Sequence, residues 1–301
     1  MTLQTPRTSE NQLAAPPSGR GRLLISCPDQ PGIVAAVSTF LFQRQANIVQ
    51  SDQHTTDPQG GLFFMRIEFD TERLDERLPQ LQSGFRQVAE QFSMDWRMTN
   101  AHQYKQVAVF VTKEDHCLLD LLWRWKTGEL AANIALVISN HELLRETVES
   151  FDVPFVHVPI RKEEKEKAEQ SHLELLREHA IDLVVLARYM QIIPPGFIQR
   201  YPNRIINIHH SFLPAFVGGQ PYAQAYERGV KIIGATAHYV TEELDQGPII
   251  EQDIARVDHR DQVEALKRIG RDIERVVLAR AVQWHLEDRV LVYQNKTIVF
   301  S

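Results

Sequence analysis

Apolar residues along the chain change their spacing once, near residue 100, and the change separates two patterns. Arg22 to Ser26 is strand-like, the turn Pro28-Asp29-Gln30-Pro31-Gly32 follows, and Val34, Val37 and Leu41 then repeat at helical spacing over Ile33 to Gln45. Ile48 to Thr56 and Leu62 to Phe69 read as strands joined by Asp57-Pro58-Gln59-Gly60-Gly61, a hairpin signal. Leu74, Leu78, Leu81, Phe85 and Val88 give helical spacing over Leu74 to Phe92, and Met94 to Met98 closes the unit as a last strand. The predicted order is βαββαβ over residues 22–98, an antiparallel sheet with two helices on one face.

Residues 99–105 form a polar linker, and from residue 106 to 301 strands alternate with helices. Val107 to Val111, Ile134 to Ile138, Phe155 to Val158, Leu183 to Leu186 and Arg204 to Ile208 are short apolar runs with little alternation, as in strands covered on both faces. They predict a mostly parallel α/β sheet. Helices are expected over Asp115 to Lys126, Glu142 to Ser150 and Lys162 to His179, with the charge run Arg161 to Lys167 as a solvated helix face. Ile232 to Val240 and Pro248 to Ile254 are later strands, Gln262 to Leu286 is a long amphipathic helix, and Arg289 to Phe300 reads as a terminal hairpin.

Composition narrows the class. With 43% hydrophobic and 24% charged residues among 301, the chain has the balance of a globular protein, long enough for two domains. No apolar run approaches bilayer length, and residues 1–21, with Pro6, Pro16 and Pro17, lack a secretory signal's apolar stretch and read as a flexible polar tail. Cys27 and Cys117 fall in different predicted domains, which argues against a disulfide framework and for a cytoplasmic protein. A net charge of −6 gives no general attraction for nucleic acid, so neither nucleic acid nor a membrane is an expected partner.

In an open parallel sheet, ligands bind beyond the carboxyl ends of the strands. Four segments qualify: Thr112 to Leu118, Ala187 to Ile193, Asn207 to Pro214 and Thr241 to Gly247. Asn207 and His209 alternate along a strand end, so their side chains share a face and can converge on one atom. Capping of loop backbone is the bland alternative. Asp245 sits in the turn Leu244-Asp245-Gln246-Gly247-Pro248, where an aspartate is commonly structural but here can be brought to His209 by a neighbouring strand.

Asn207-Ile208-His209 followed by Ser211-Phe212-Leu213-Pro214, with Leu244-Asp245-Gln246-Gly247-Pro248-Ile249-Ile250 downstream, resembles the folate-dependent formyltransferases over residues 106 to about 290. Lys113-Glu114-Asp115-His116-Cys117-Leu118, Leu121-Leu122-Trp123-Arg124-Trp125 and the N-terminal pattern extend the resemblance to the formyltetrahydrofolate deformylase family over nearly the whole chain. The resemblance implies an α/β protein with an N-terminal ACT-like (ferredoxin-like) domain and a formyltransferase-type catalytic domain. It implies hydrolysis of 10-formyltetrahydrofolate to formate and tetrahydrofolate, in one-carbon and purine metabolism, with Asn207, His209 and Asp245 as catalytic residues. Leu186, Met190, Ile192, Ile193 and Val240 would wall the pterin, while backbone groups around Gln191 and along Thr241 to Asp245 pair with its nitrogens and oxygens. No cofactor is expected, since the folate is the substrate, and no metal, since the histidines are scattered rather than spaced as ligands.

Thr112 to Cys117 lacks the glycines that let a helix start approach a phosphate, and Glu114 and Asp115 would repel one. Water is then the nucleophile. His210 stands where the transferases resembled have proline, and it either orders that water or is structural. Lys113 remains able to attract an anion. Competing readings are a formyl transferase with a different amine acceptor and a non-enzymatic amino-acid or folate sensor. Methionyl-tRNA formyltransferase is disfavoured by the acidic charge. Asp29, Gln30 and Gly32 resemble an amino-acid site, for glycine or methionine as effector, although a plain strand-to-helix turn explains them equally. A homo-oligomer, as a tetramer, is expected by family resemblance.

Overall fold

The structure, a computed structural model, describes residues 19–57, 59–161, 165–214 and 221–300. Of the expected tail, residues 1–18 lie outside the described residues, as do Pro58 of the hairpin turn, 162–164 of the charge run, and Ala215 and Phe216 after the Ser-Phe-Leu-Pro segment. Contacts group the chain into two compact units, Met1–Gln103 and Tyr104–Ser301.

The first unit runs β1 (Arg20–Pro28), α1 (Ile33–Gln43), β2 (Asn47–Thr55), β3 (Leu62–Asp70), α2 (Leu74–Gln91) and β4 (Asp95–Asn100), with an antiparallel sheet ordered β2-β3-β1-β4. Alternation places Leu23, Ile25 and Cys27 of β1 with Met65, Ile67 and Phe69 of β3 in one core, against Val37 and Leu41 of α1 and Leu81 and Phe85 of α2. β1 starts at Arg20, ahead of the expected Arg22. Arg20 and Arg22 face carboxylates across the ladder, at 2.8 Å to Asp70 and 3.1 Å to Glu68, and these pairs extend the strand. β4 continues to Asn100, which hydrogen-bonds Asp75, so Thr99 and Asn100 belong to the sheet rather than to the linker. With β5 starting at Lys105, the polar break shrinks to residues 101–104.

The second unit begins β5 (Lys105–Val111), α3 (His116–Lys126), β6 (Ala132–Ser139), α4 (Arg145–Glu149), β7 (Phe155–His157), α5 (Lys165–Glu178), β8 (Leu183–Leu186), α6 (Pro195–Arg200) and β9 (Ile205–His209). It continues α7 (Pro221–Glu227), β10 (Ile232–Tyr239), β11 (Ile249–Arg256), α8 (Val263–Leu286), β12 (Val290–Tyr293) and β13 (Lys296–Val299). The sheet order is β11-β10-β9-β8-β5-β6-β7. Strands β5 to β9 are parallel, while β10 runs antiparallel to both β9 and β11. The uninterrupted apolar runs have a physical cause: Val107, Val109 and Val111 pack with α3 and α8 on one face, while Ala108 and Phe110 pack with α5 and α6 on the other. The periodicity did not announce α6 and α7, which at 6 and 7 residues are too short to repeat an apolar stripe. No helix among the described residues is long and apolar enough to cross a membrane.

Candidate active site

From β5 the chain winds one way through β6 and β7, then crosses back to place β8 on the other side of β5. Such a reversal opens a crevice at the carboxyl ends of the flanking strands. A cavity of about 320 Å³ lies there, and Leu186, Met190, Gln191, Ile192, Ile193, Val240, Asn207, His209 and Asp245 all contribute to its wall. Met190 and Ile192 are 56% and 77% exposed, apolar side chains held open at a cavity. Their segment is pinned to the end of β5, where the backbone N–H of Met190 donates to Thr112 Oγ1 at 3.0 Å.

Asn207 and His209 point the same way from β9, and the antiparallel register sets His238 of β10 directly opposite Asn207. Asn207 Nδ2 donates to His238 Nε2 at 3.2 Å, and His238 Nδ1 donates to the carbonyl of Tyr239 at 2.9 Å. The hydrogen-bond network thereby assigns His238 its proton on Nδ1 and a lone pair on Nε2. Burial pushes the His238 pKa down and keeps the ring neutral. His238 is a site residue that the sequence reading passed over. Its signal was an imidazole inside a mostly apolar strand, on the same side as Thr236.

Asp245 lies in the turn after β10 with φ of 56°. Gly247 makes that turn possible, because a Cβ there would collide with the carbonyl oxygen of Tyr239. The turn brings Asp245 Oδ2 to 3.3 Å from His209 Nδ1 and Oδ1 to 3.8 Å from His238 Nε2. The hydrogen bond from His209 is the main reason the Asp245 carboxyl titrates below its ordinary range, against the opposing effect of burial. His209 is 6% exposed, and its Nε2 has no hydrogen-bond partner among the described residues. An ionised carboxylate thus holds one imidazole nitrogen while the other is left for a ligand. The following loop is anchored through Thr236 Oγ1, which accepts from Leu213 N at 3.0 Å and donates to Ser211 O at 2.9 Å.

Two further groups emerge only in three dimensions. Glu274 of α8, 1% exposed, accepts a hydrogen bond from Tyr222 at 2.7 Å, faces His116 Nε2 at 2.8 Å, and lies 3.5 Å from Arg188 Nε. Burial raises the Glu274 pKa, but His116, Arg188 and Tyr222 together outweigh it and hold the group below its ordinary value. His116, Cys117 and Glu274 bring donor atoms within 4.8 Å of one another. Glu274 already has a cation beside it and partners on both oxygens, and burial holds the Cys117 thiol protonated. This donor set is arranged as a hydrogen-bonded ion cluster. His210 contacts His209 and Tyr222, with ring centroids at 5.4 and 6.1 Å, and burial lowers its pKa to about 4.

In the first unit, Asp29 Oδ2 accepts from Thr55 Oγ1 at 2.8 Å, Gly32 caps α1 with φ of 98°, and Gln30 is exposed.

Comparison with known proteins places these features. The formyl transferase family matches residues 105–282 and the ACT domain residues 21–83. The formyltetrahydrofolate deformylase of Bacillus subtilis (strain 168) is 62% identical over 282 residues, 94% of each chain. A solved formyltetrahydrofolate deformylase from Pseudomonas syringae superposes with a TM-score of 0.91 at 53% identity, covering 95% of this chain and 96% of that one. A glycinamide ribonucleotide transformylase from Symbiobacterium toebii gives a TM-score of 0.63 at 28% identity, covering 68% of this chain and 97% of its own. The α/β architecture, the paired domains and the full-length identity carry one conclusion: the chain belongs to the formyltetrahydrofolate deformylase family, an ACT domain joined to a formyl transferase domain.

Proposed function

We propose that this chain hydrolyses 10-formyltetrahydrofolate to formate and tetrahydrofolate, with Asn207, His209 and Asp245 as its catalytic residues. The observation that carries the reading is His209 Nε2, without a hydrogen-bond partner among the described residues, in a cavity with apolar walls, backed by ionised Asp245 and flanked by the Asn207 amide.

Attack of water on the formyl carbon makes a tetrahedral intermediate with a negative oxygen. Nε2–H of His209 and the second Nδ2 hydrogen of Asn207 are the donors for that charge. Asp245 takes the proton lost by the water. Protonated His209 gives its Nε2 proton through a bridging water to N10 as the C–N bond breaks, Asp245 returns its proton through water to His209 Nε2, and the formic acid formed becomes formate by losing its hydroxyl proton to solvent. Leu186, Met190, Ile192, Ile193 and Val240 enclose the flat pterin, and backbone groups at Gln191 and from Thr241 to Asp245 meet its polar edge. Water is favoured over an amine acceptor because Glu114 and Asp115 stand at the start of α3, where an acceptor phosphate would need positive charge.

No cofactor enters this reaction. The reading further takes the enzyme to be cytoplasmic and homo-oligomeric, as a tetramer, with glycine or methionine acting on the ACT domain near Asp29, Gln30 and Gly32. Calorimetric titration of the full chain with each amino acid checks the effector. The reaction is tested by assaying formate release with no amine present: wild type releases it, and His209→Ala loses about 10²–10³ in rate. Strict dependence on an added amine would replace hydrolysis with transfer.

A further inference from the structure

A second cavity, of about 480 Å³, adjoins the first, and Arg188 and His210 line both. Its outer cations are already matched, Lys267 with Glu264 at 2.7 Å and Arg271 with Glu114 at 3.1 Å. The inner cation, Arg188, has its charge balanced but its hydrogen bonds unmade. Arg188 Nε and Nη1 are buried without a hydrogen-bond partner among the described residues, and the side chain is 13% exposed. Glu274 balances its charge from 3.5 Å but spends its own oxygens on Tyr222 and His116. Arg188 also holds φ of 61°, a left-handed conformation uncommon for a residue with a long side chain.

A buried guanidinium with N–H groups to spare is shaped for a planar pair of oxygens. On the hydrolytic reading, on which this inference rests, one such species is made at the neighbouring wall. The formyl group enters neutral and leaves as a carboxylate, beside the ionised Asp245 that repels it. We propose that Arg188 binds the formate product in its guanidinium fork at the wall shared by the two cavities, and that the second cavity is the path by which formate leaves. His210, neutral beside Arg188, adds no competing charge.

The test uses the full-length enzyme in two arms. Saturation-transfer NMR with sodium formate and no folate measures binding without turnover. Product inhibition by sodium formate, against sodium chloride at equal ionic strength, measures it during turnover. Arg188→Lys keeps a cation beside Glu274 but removes the fork, and Arg188→Met removes both. The expected result is saturation transfer and inhibition in the wild type, with the inhibition constant for formate raised at least tenfold in Arg188→Lys and further in Arg188→Met. Thermal melts identify a variant that has lost its fold, and Arg188→Lys decides if Arg188→Met does. Equal inhibition constants in wild type and Arg188→Lys, or no saturation transfer in the wild type, overturn the proposal. So does a raised KM for the folate with formate inhibition unchanged, which would assign Arg188 to the glutamyl carboxylates of the substrate. A wild type that binds formate through Arg188 yet releases none from 10-formyltetrahydrofolate would sink the hydrolytic reading and leave the anion site standing.

Discussion

Asn207 donates its amide N–H to Nε2 of His238 at 3.2 Å across the β9–β10 ladder, and His238 is locked in turn by its bond to the carbonyl of Tyr239 at 2.9 Å. One amide hydrogen is thereby fixed, which orients the other. On the proposed mechanism His238 is a positioning residue: it sets the direction of the oxyanion donor.

His238→Ala frees that amide to rotate, and kcat should fall about 10–10²-fold, short of the loss from removing the donor outright. KM for the folate should change little. A substitution with the reverse pattern, raised KM at unchanged kcat, would place His238 in substrate binding instead.

On the proposed mechanism Asp245 must be ionised to hold His209 and take a proton. Its folded pKa is lowered, chiefly by the hydrogen bond from His209, so activity limited by this group is present at neutral pH. That activity should fall only as pH drops below the ordinary aspartate value of about 4. The stability contribution has the same sign: present above the unfolded pKa and lost as pH falls through the folded one. Asp245→Asn should cost about 10²–10⁴ in kcat and flatten the acid limb of the stability profile. Rates and urea melts across pH check both.

Glu274 is buried with Arg188 beside it, so removing the carboxylate strands a cation. Glu274→Ala should destabilise the second unit by about 3–5 kcal/mol, and Glu274→Gln by less because it still offers an oxygen to Tyr222. Denaturant midpoints with constant m-values provide the measurement.

Gly247→Ala forces a methyl group onto the Tyr239 carbonyl and displaces the turn that carries Asp245. Catalysis should drop at least as far as in Asp245→Asn, while secondary structure by circular dichroism stays near that of the wild type.

Apolar runs bare of alternation disclosed a sheet covered on both faces, and the two-residue spacing of Asn207 and His209 disclosed their shared direction. Asp245 was readable because a tight turn between strands returns its residues to the same sheet end. His238 was hidden, since a register opposite Asn207 is a fact of pairing between strands and not of order along the chain. Arg188 and Glu274 were hidden for a related reason. A buried ion pair between a strand end and a distant helix leaves no local periodicity, and each residue alone looks like a surface charge. Strand β1 began early because its outer residues are arginines, whose match to β3 carboxylates lies in the partner strand.

The account turns on water as the nucleophile at the formyl carbon. Single turnover in ¹⁸O-enriched water with no amine present should yield formate carrying one solvent oxygen, together with tetrahydrofolate. No formate, or formate without label, would contradict it.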